Sequence, residues 1–111
     1  MGHPPTVETI VHPEVGDIEL PAVLHALSDP VRLQIVAGLA SGEERPCGSV
    51  ALPVTKSTRS HHFRVLREAG LIRTRQVGTS RLSALRRDDL EARFPGLLAT
   101  VLSAATSGDH D

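Results

Sequence analysis

The stretch Thr55-Lys56-Ser57-Thr58-Arg59-Ser60-His61-His62-Phe63-Arg64-Val65-Leu66-Arg67-Glu68-Ala69-Gly70 decides the fold of the 111-residue chain around it. It predicts one helix with both ends marked. Thr55 offers an oxygen to the free N–H groups of the first turn, and Gly70 accepts the left-handed backbone that stops a helix. At about 100° per residue, Phe63 and Leu66 point one way while Ser57, His61 and Arg64 point another. The apolar side should pack inward. The outward side presents hydroxyls, an imidazole and a guanidinium, beginning at the positive end of the helix dipole, and these groups suit phosphates and base edges in a major groove. An ordinary amphipathic surface helix has the same period, so the flanking segments have to decide between the two.

Charge along the chain favours the first reading. The net charge is only −1, yet residues 1–44 hold seven acids against one base, residues 45–87 ten bases against Glu68 alone, and residues 88–111 five acids against one base. A strongly basic middle between acidic flanks is the footprint of a surface that meets a polyanion while the rest stays clear of it. The length suits one domain with one modest core, and with two Phe, no Tyr and no Trp that core must be aliphatic. No apolar run is long enough for a transmembrane span, and the N-terminus lacks a signal-peptide pattern. Met1-Gly2-His3-Pro4-Pro5-Thr6 fits the loose myristoylation pattern, but its two prolines and the absence of any other membrane feature argue against it. The single cysteine, Cys47, precludes an internal disulfide and fits a reducing cytosol.

Upstream of the central helix, residues 1–16 show no helical period and read as a flexible arm. Residues 17–105 form the folded domain, and 106–111 a polar tail. Leu20, Val23, Leu24 and Leu27 recur at helical spacing; Ser28-Asp29-Pro30 then ends one helix and starts another carrying Val31, Ile35, Val36 and Leu39. Glu43 to Pro46 reads as a charged turn and Cys47 to Leu52 as a small helix closed by Pro53. A short helix, a tight turn and a helix with a polar outer face make a helix-turn-helix. Beyond Gly70 the period becomes extended: Leu71–Val77, a Gly78-Thr79 turn and Ser80–Leu85 predict a hairpin bearing Arg73, Arg75 and Arg81. Such a hairpin is a wing, placed to reach flanking phosphates or the minor groove. A final helix opens at Asp88-Asp89 and carries Leu90, Phe94, Leu97, Leu98, Val101 and Leu102, with Pro95-Gly96 kinking or splitting it. The fold class is therefore mostly α with a small β-hairpin.

Two segments, Ala26-Leu27-Ser28-Asp29-Pro30-Val31-Arg32-Leu33-Gln34-Ile35 and Ser57 through Ile72, resemble the signature segments of the ArsR/SmtB family of bacterial winged helix-turn-helix repressors. The likeness covers roughly residues 18–90. It implies a homodimer formed by the first and last helices, binding a dyad operator in double-stranded DNA and releasing it when an effector, often a metal ion, binds. The apolar stripes Leu20, Val23, Leu24, Leu27 and Leu90, Phe94, Leu97, Leu98, Val101, Leu102 suit that dimer interface independently. Lys56, Ser57, Thr58, His61 and Arg64, with Arg73, Arg75 and Arg81 on the wing, are the expected DNA-contacting set, and the resemblance implies that His61 occupies a position that faces DNA. Arg59 is left aside, because its angle puts it near the inward side.

The departures from the family concern the effector. Thiophilic-metal sensors carry a Cys-Val-Cys type pair where this chain has Pro46-Cys47-Gly48-Ser49-Val50, and one thiolate cannot supply a soft site of three or four ligands. The last-helix zinc site needs histidines that Asp89–Ala105 lacks, and the strand that often bears tyrosines reads Arg81-Leu82-Ser83-Ala84-Leu85. Metal sensing would then rest on nitrogen ligands: the Gly2 amine, His3 and His12, joined by His25 or His110. That set suits nickel, copper or zinc, and nickel sensors resembling this family recruit an N-terminal Gly-His. Bystander histidines are the competing reading, as are a structural, partly buried His25 and an inert buried Cys47 in place of a redox switch activated by Arg45. Control by a redox change, a small molecule or a separate sensor protein is the alternative to metal. Nothing resembles a nucleophile elbow, a phosphate-cradling glycine loop or a His-Glu-x-x-His site, so an enzyme is not expected.

Overall fold

The computed structural model describes residues 10–107. Among these, five α-helices surround an aliphatic core and a three-stranded antiparallel sheet lies to one side. Helix α1 (Leu20–Leu27) and helix α2 (Pro30–Gly38) meet at Ser28-Asp29. Asp29 caps α2, its Oδ1 accepting the backbone N–H groups of Val31 at 2.8 Å and Arg32 at 3.1 Å. Pro30 takes the first helical position, where its missing N–H would have had no partner anyway. Ile18, Val23, Ile35, Val36, Leu39, Leu66, Leu71 and Ile72 are at most 1% exposed, so aliphatic side chains alone form the centre of the core.

Between α2 and the central helix the structure corrects the sequence expectation. Arg45–Pro46, expected as a turn, is a short strand β1, pairing with Ser83 and Leu82. The small helix expected over Cys47 to Leu52 is a single 3-10 turn, Cys47–Ser49, followed by irregular chain. A two-residue strand has no period to read. Pro46 also disguises it, since proline enters a sheet only where its absent N–H costs no ladder bond, at an edge, and the strand order β1-β3-β2 puts β1 there.

Helix α3 (Lys56–Ala69) has the expected ends. Thr55 Oγ1 accepts the Thr58 N–H at 3.2 Å. Gly70 lies at φ 92°, and the Gly70 and Leu71 N–H groups return to the carbonyls of Arg67 and Leu66 at 3.1 and 3.0 Å. Strands β2 (Ile72–Val77) and β3 (Ser80–Leu85) pair from Ile72–Leu85 to Val77–Ser80 around a two-residue loop led by Gly78 at φ 61°. The last apolar run splits into α4 (Arg87–Arg93) and α5 (Leu97–Ser107) at Pro95-Gly96.

The two apolar stripes expected whole at a dimer surface are divided by the fold. Val23, Leu27, Leu90 and Leu98 are buried in the chain's own core, whereas Leu20 and Leu24 are 41% and 48% exposed and Phe94, Leu97, Val101 and Leu102 half-buried. The reason is geometric. A helix at the edge of a small domain buries one i, i+4 row and leaves the adjacent row outside.

Of residues 1–16, those from Ile10 onward run across the hairpin; His3 lies outside the described residues. His12 Nε2 accepts the Thr74 N–H of β2 at 2.9 Å, Arg86 Nη1 donates to the Pro13 carbonyl at 2.9 Å, and Val15–Asp17 makes a 3-10 turn that delivers Ile18 to the core. Burial, and then the nearby charges of Arg73, Arg86 and Arg67, hold the His12 imidazole below its ordinary pKa of 6.5.

Two predictions follow from these contacts. A Cβ at Gly70 would stand 2.6 Å from Ile18 Cγ1, on a backbone that L residues avoid, while one at Gly78 would meet nothing within 4 Å. Gly70→Ala should therefore lower stability in urea by about 2–4 kcal/mol and Gly78→Ala by about 1 kcal/mol; equal losses would show that the Ile18 contact does not matter. For His12, a docked pKa below the free value means that docking holds fully above about pH 6.5 and is lost as pH falls through the lowered value. Thr74 amide exchange should be slower in the natural chain than in His12→Ala at neutral pH, and that difference should vanish in acid. A difference unaffected by pH would contradict the assignment.

Candidate nucleic-acid interface

What α3 can present depends on how it is held. Buried Arg32, on α2, donates from Nε to the Ala26 carbonyl at 2.7 Å, from Nη2 to the His25 carbonyl at 3.4 Å, and from Nη1 to His62 Nδ1 at 3.2 Å. The two carbonyls belong to the last turn of α1, where that of His25 also accepts the Ser28 N–H at 3.2 Å, and a cation there answers the negative end of the helix. Guanidinium groups only donate, so His62 Nδ1 must accept and its ring proton sits on Nε2. His62 is thereby buried beside Phe63 and Leu66, and its neighbour His61 faces solvent.

The outer face of α3 then matches the sequence expectation in composition. Lys56, Ser57, Thr58, Ser60, His61 and Arg64 are all exposed. Ser57, His61 and Arg64, at i, i+4 and i+7, share one stripe. Thr58 is partly engaged, its hydroxyl accepting from Thr55 Oγ1 at 2.9 Å, and Arg64 reaches back to Glu68 at 3.3 Å across an exposed helical turn. Such a pair is worth little in water and yields readily to a phosphate.

On the wing the three arginines do not act as one group. Arg73 and Arg75 share one face of β2, and Arg81 lies on the other, opposite Gln76 in the ladder and donating from Nε to Gln76 Oε1 at 3.1 Å. Arg75 forms a two-pronged pair with Glu44 at 2.6 and 2.8 Å, which lowers the Glu44 pKa and raises that of Arg75. Arg73 approaches Asp89 at 3.5 Å.

Several of the basic residues counted in the middle third serve the fold instead. Arg86, 5% exposed, binds Asp89 at 2.9 Å and the Pro13 carbonyl, and Arg87 Nη1 donates to the Ala40 carbonyl just beyond α2 at 2.6 Å. The only sequence signal for these roles was position, immediately after a strand and beside a helix start. Arg59 and Arg67 turn from the outer face of α3 toward the hairpin, and the Nε of each is buried with no hydrogen-bond partner.

The remaining candidates separate clearly. Cys47 is half-buried; burial pushes its thiol pKa up, and the hydrogen bond with Ser83 Oγ at 3.2 Å offsets this only in part. Burial thus favours the neutral thiol over the thiolate, and Arg45, expected to activate it, is exposed. His25 is exposed rather than structural, because only its carbonyl is used, by Arg32 and Ser28. Among the described residues no three His, Cys, Asp or Glu side chains converge as metal ligands, and no helix is long and apolar enough to cross a membrane.

Comparison with known proteins agrees with this geometry. A helix-turn-helix domain family matches residues 27–75, from the end of α1 into β2. The HTH-type transcriptional regulator YceK of Bacillus subtilis is 42% identical over 82 residues, spanning 71% of this chain and 82% of that protein. A transcriptional repressor SmtB homolog of Synechocystis is 36% identical over 73 residues, 61% of this chain and 55% of that one. Among solved structures, the homodimeric winged helix-turn-helix DNA-binding domain of Mb0332 from Mycobacterium bovis, a possible ArsR-family regulator, matches with a TM-score of 0.61 at 29% identity, covering 83% of this chain and 85% of that one. With its polar-faced helix α3, arginine-bearing wing and these relatives, the chain belongs to the ArsR/SmtB family of winged helix-turn-helix, DNA-binding transcriptional regulators.

Proposed function

We propose that two copies pair through α1 and α5 and set their α3 helices into successive major grooves of a dyad operator, repressing transcription in a bacterial cytoplasm until an effector alters the spacing of those helices. The observation that carries this reading is the exposed stripe Ser57, His61, Arg64 on a helix whose rotation is set by the buried Arg32–His62 contact. Ser57, Thr58 and His61 read base edges or adjacent phosphates; Lys56 and Arg64 take the backbone. Arg73 and Arg75 on one face of the wing, and Arg81 on the other, reach flanking phosphate or minor groove. Exposed Leu20 and Leu24 on α1, together with half-buried Leu97, Val101 and Leu102 on α5, supply the pairing surface. Two-fold symmetry then puts the recognition helices about 34 Å apart, one turn of DNA.

Nickel or zinc at the N-terminal arm is one way to supply the effector. Docked His12 offers its Nε2 lone pair to Thr74 and so holds its proton on Nδ1. Metal ligation by His3 and His12 would therefore compete with docking, and releasing the arm from β2 would reach the wing directly. A coupling of about 1–3 kcal/mol is enough to change operator affinity several-fold. Control by a small molecule or a separate sensor protein operates through the same wing and helix.

One set of variants tests the division of roles. Replacing Ser57 and His61 by Ala should reduce discrimination between operator and random duplex by about 1–3 kcal/mol per lost base contact. Arg75→Ala should weaken binding to both alike and reduce the salt slope by about one. Leu24→Glu should sediment as a monomer and lose operator affinity while keeping its helical circular dichroism. Uniform losses across both DNAs for every variant, with the Leu24 variant still dimeric, would refute the assignment.

A further inference from the structure

Between α3 and the hairpin lies a small cleft of about 70 Å³ lined by Cys47, Arg59, Ser60, Phe63, Arg67, Thr74 and Arg81. Its polar chemistry points one way. Three of the lining residues are guanidinium groups, which only donate, and among the described residues no carboxylate lines the cleft. Among the described residues, Glu68 pairs with Arg64, Glu44 with Arg75, and Asp89 with Arg73 and Arg86. Beside the cleft, Ser83 Oγ is shared between the Cys47 thiol at 3.2 Å and Thr74 Oγ1 at 2.8 Å, so those groups satisfy one another. The thiol, its pKa raised by burial, adds no negative charge to the cleft. Two donors are left over. The Nε atoms of Arg59 and Arg67 are buried and have no hydrogen-bond partner, although buried donors are almost always paired.

We propose that this cleft between the recognition helix and the wing is a binding site for a small tetrahedral oxyanion of the sulfate or phosphate class, held by Arg59 and Arg67 from α3 and by Arg81 from the hairpin. At about 70 Å³ the cleft has room for such an ion. Donors in charge-assisted geometry suit its oxygens, and the planar guanidinium fork suits a tetrahedral oxyanion in particular. The walls come from the two elements assigned to DNA. An anion bridging them fixes the wing against α3 and draws Arg81 inward; this regulatory consequence rests on the proposed DNA reading, while the binding itself does not.

The test uses the full chain, labelled with nitrogen-15, in chloride buffer without DNA. Sodium sulfate or inorganic phosphate is titrated in at constant ionic strength and the arginine Nε–H signals are followed. The signals of Arg59 and Arg67 should move saturably, with half-saturation at millimolar anion or below, while those of exposed Arg45 and Arg64 report only bulk screening. Arg59→Met should raise the half-saturation concentration about tenfold, read at Arg67. Arg59→Lys, which keeps the charge without the fork, should weaken binding less and guards against a fold defect in the first variant, with circular dichroism melts of both. Parallel, unsaturated drift of all arginine signals would overturn the site. So would shifts at Arg59 and Arg67 that are absent with free anion but arise in a second, separate titration with a random DNA duplex, since the cleft would then be a seat for backbone phosphate. Because the anion titration contains no DNA, failure of the DNA reading leaves its outcome intact.

Discussion

The buried Arg32 guanidinium is the contact on which the functional face depends. It closes the end of α1 through the Ala26 and His25 carbonyls and reaches across to His62 on α3, so one side chain ties three helices together. A cation so placed must be fully partnered, since removing a partner from a buried charge commonly costs about 3–5 kcal/mol. The bond to His62 also sets the rotation of α3. A shift of one residue around a helix is about 100°, enough to exchange His62 and His61 between core and solvent. With His62 inside, Ser57, His61 and Arg64 have to face outward. Gly70 and Ile18 hold the other end of the helix by a contact too close for any side chain at position 70.

The arginines show how a charge count differs from a charged surface. The ten bases of residues 45–87 suggested a continuous polyanion-binding face. In the structure Arg86 and Arg87 serve the backbone, Arg73 and Arg75 stand in exposed ion pairs, and Arg59 and Arg67 enclose a cleft. What remains exposed on α3 is a narrow stripe of hydroxyls, an imidazole and a guanidinium. On the proposed reading, base contacts fall to Ser57, Thr58 and His61, and backbone contacts to Lys56, Arg64 and the wing arginines. The cleft sits where helix and wing meet.

Much of this was legible in the sequence because the signals were local. Thr55 and Gly70 bound α3, Asp29-Pro30 starts α2, Gly78 turns the hairpin and Pro95-Gly96 splits the last helix, each through its own backbone chemistry. What escaped was non-local. The strand at Arg45–Pro46 exists only because β3 lies beside it. The exposure of His25, the division of the apolar stripes, the docking of His12 on Thr74 and the turning of Arg59 and Arg67 toward the wing all depend on neighbours distant in sequence. A helical period says which residues share a face; it does not say which of two adjacent rows the rest of the chain will cover.

The central claim is that the outer face of α3, together with the hairpin, is where this protein meets DNA. The most direct measurement is a map of backbone amide shifts as a duplex is titrated into the labelled full chain at low salt. The account predicts that perturbations concentrate in residues 55–64 and around the hairpin tip at 76–81, fade as salt is raised, and spare α1 and α5. Perturbations centred on Leu20, Leu24 and α5, with α3 unchanged, would contradict it.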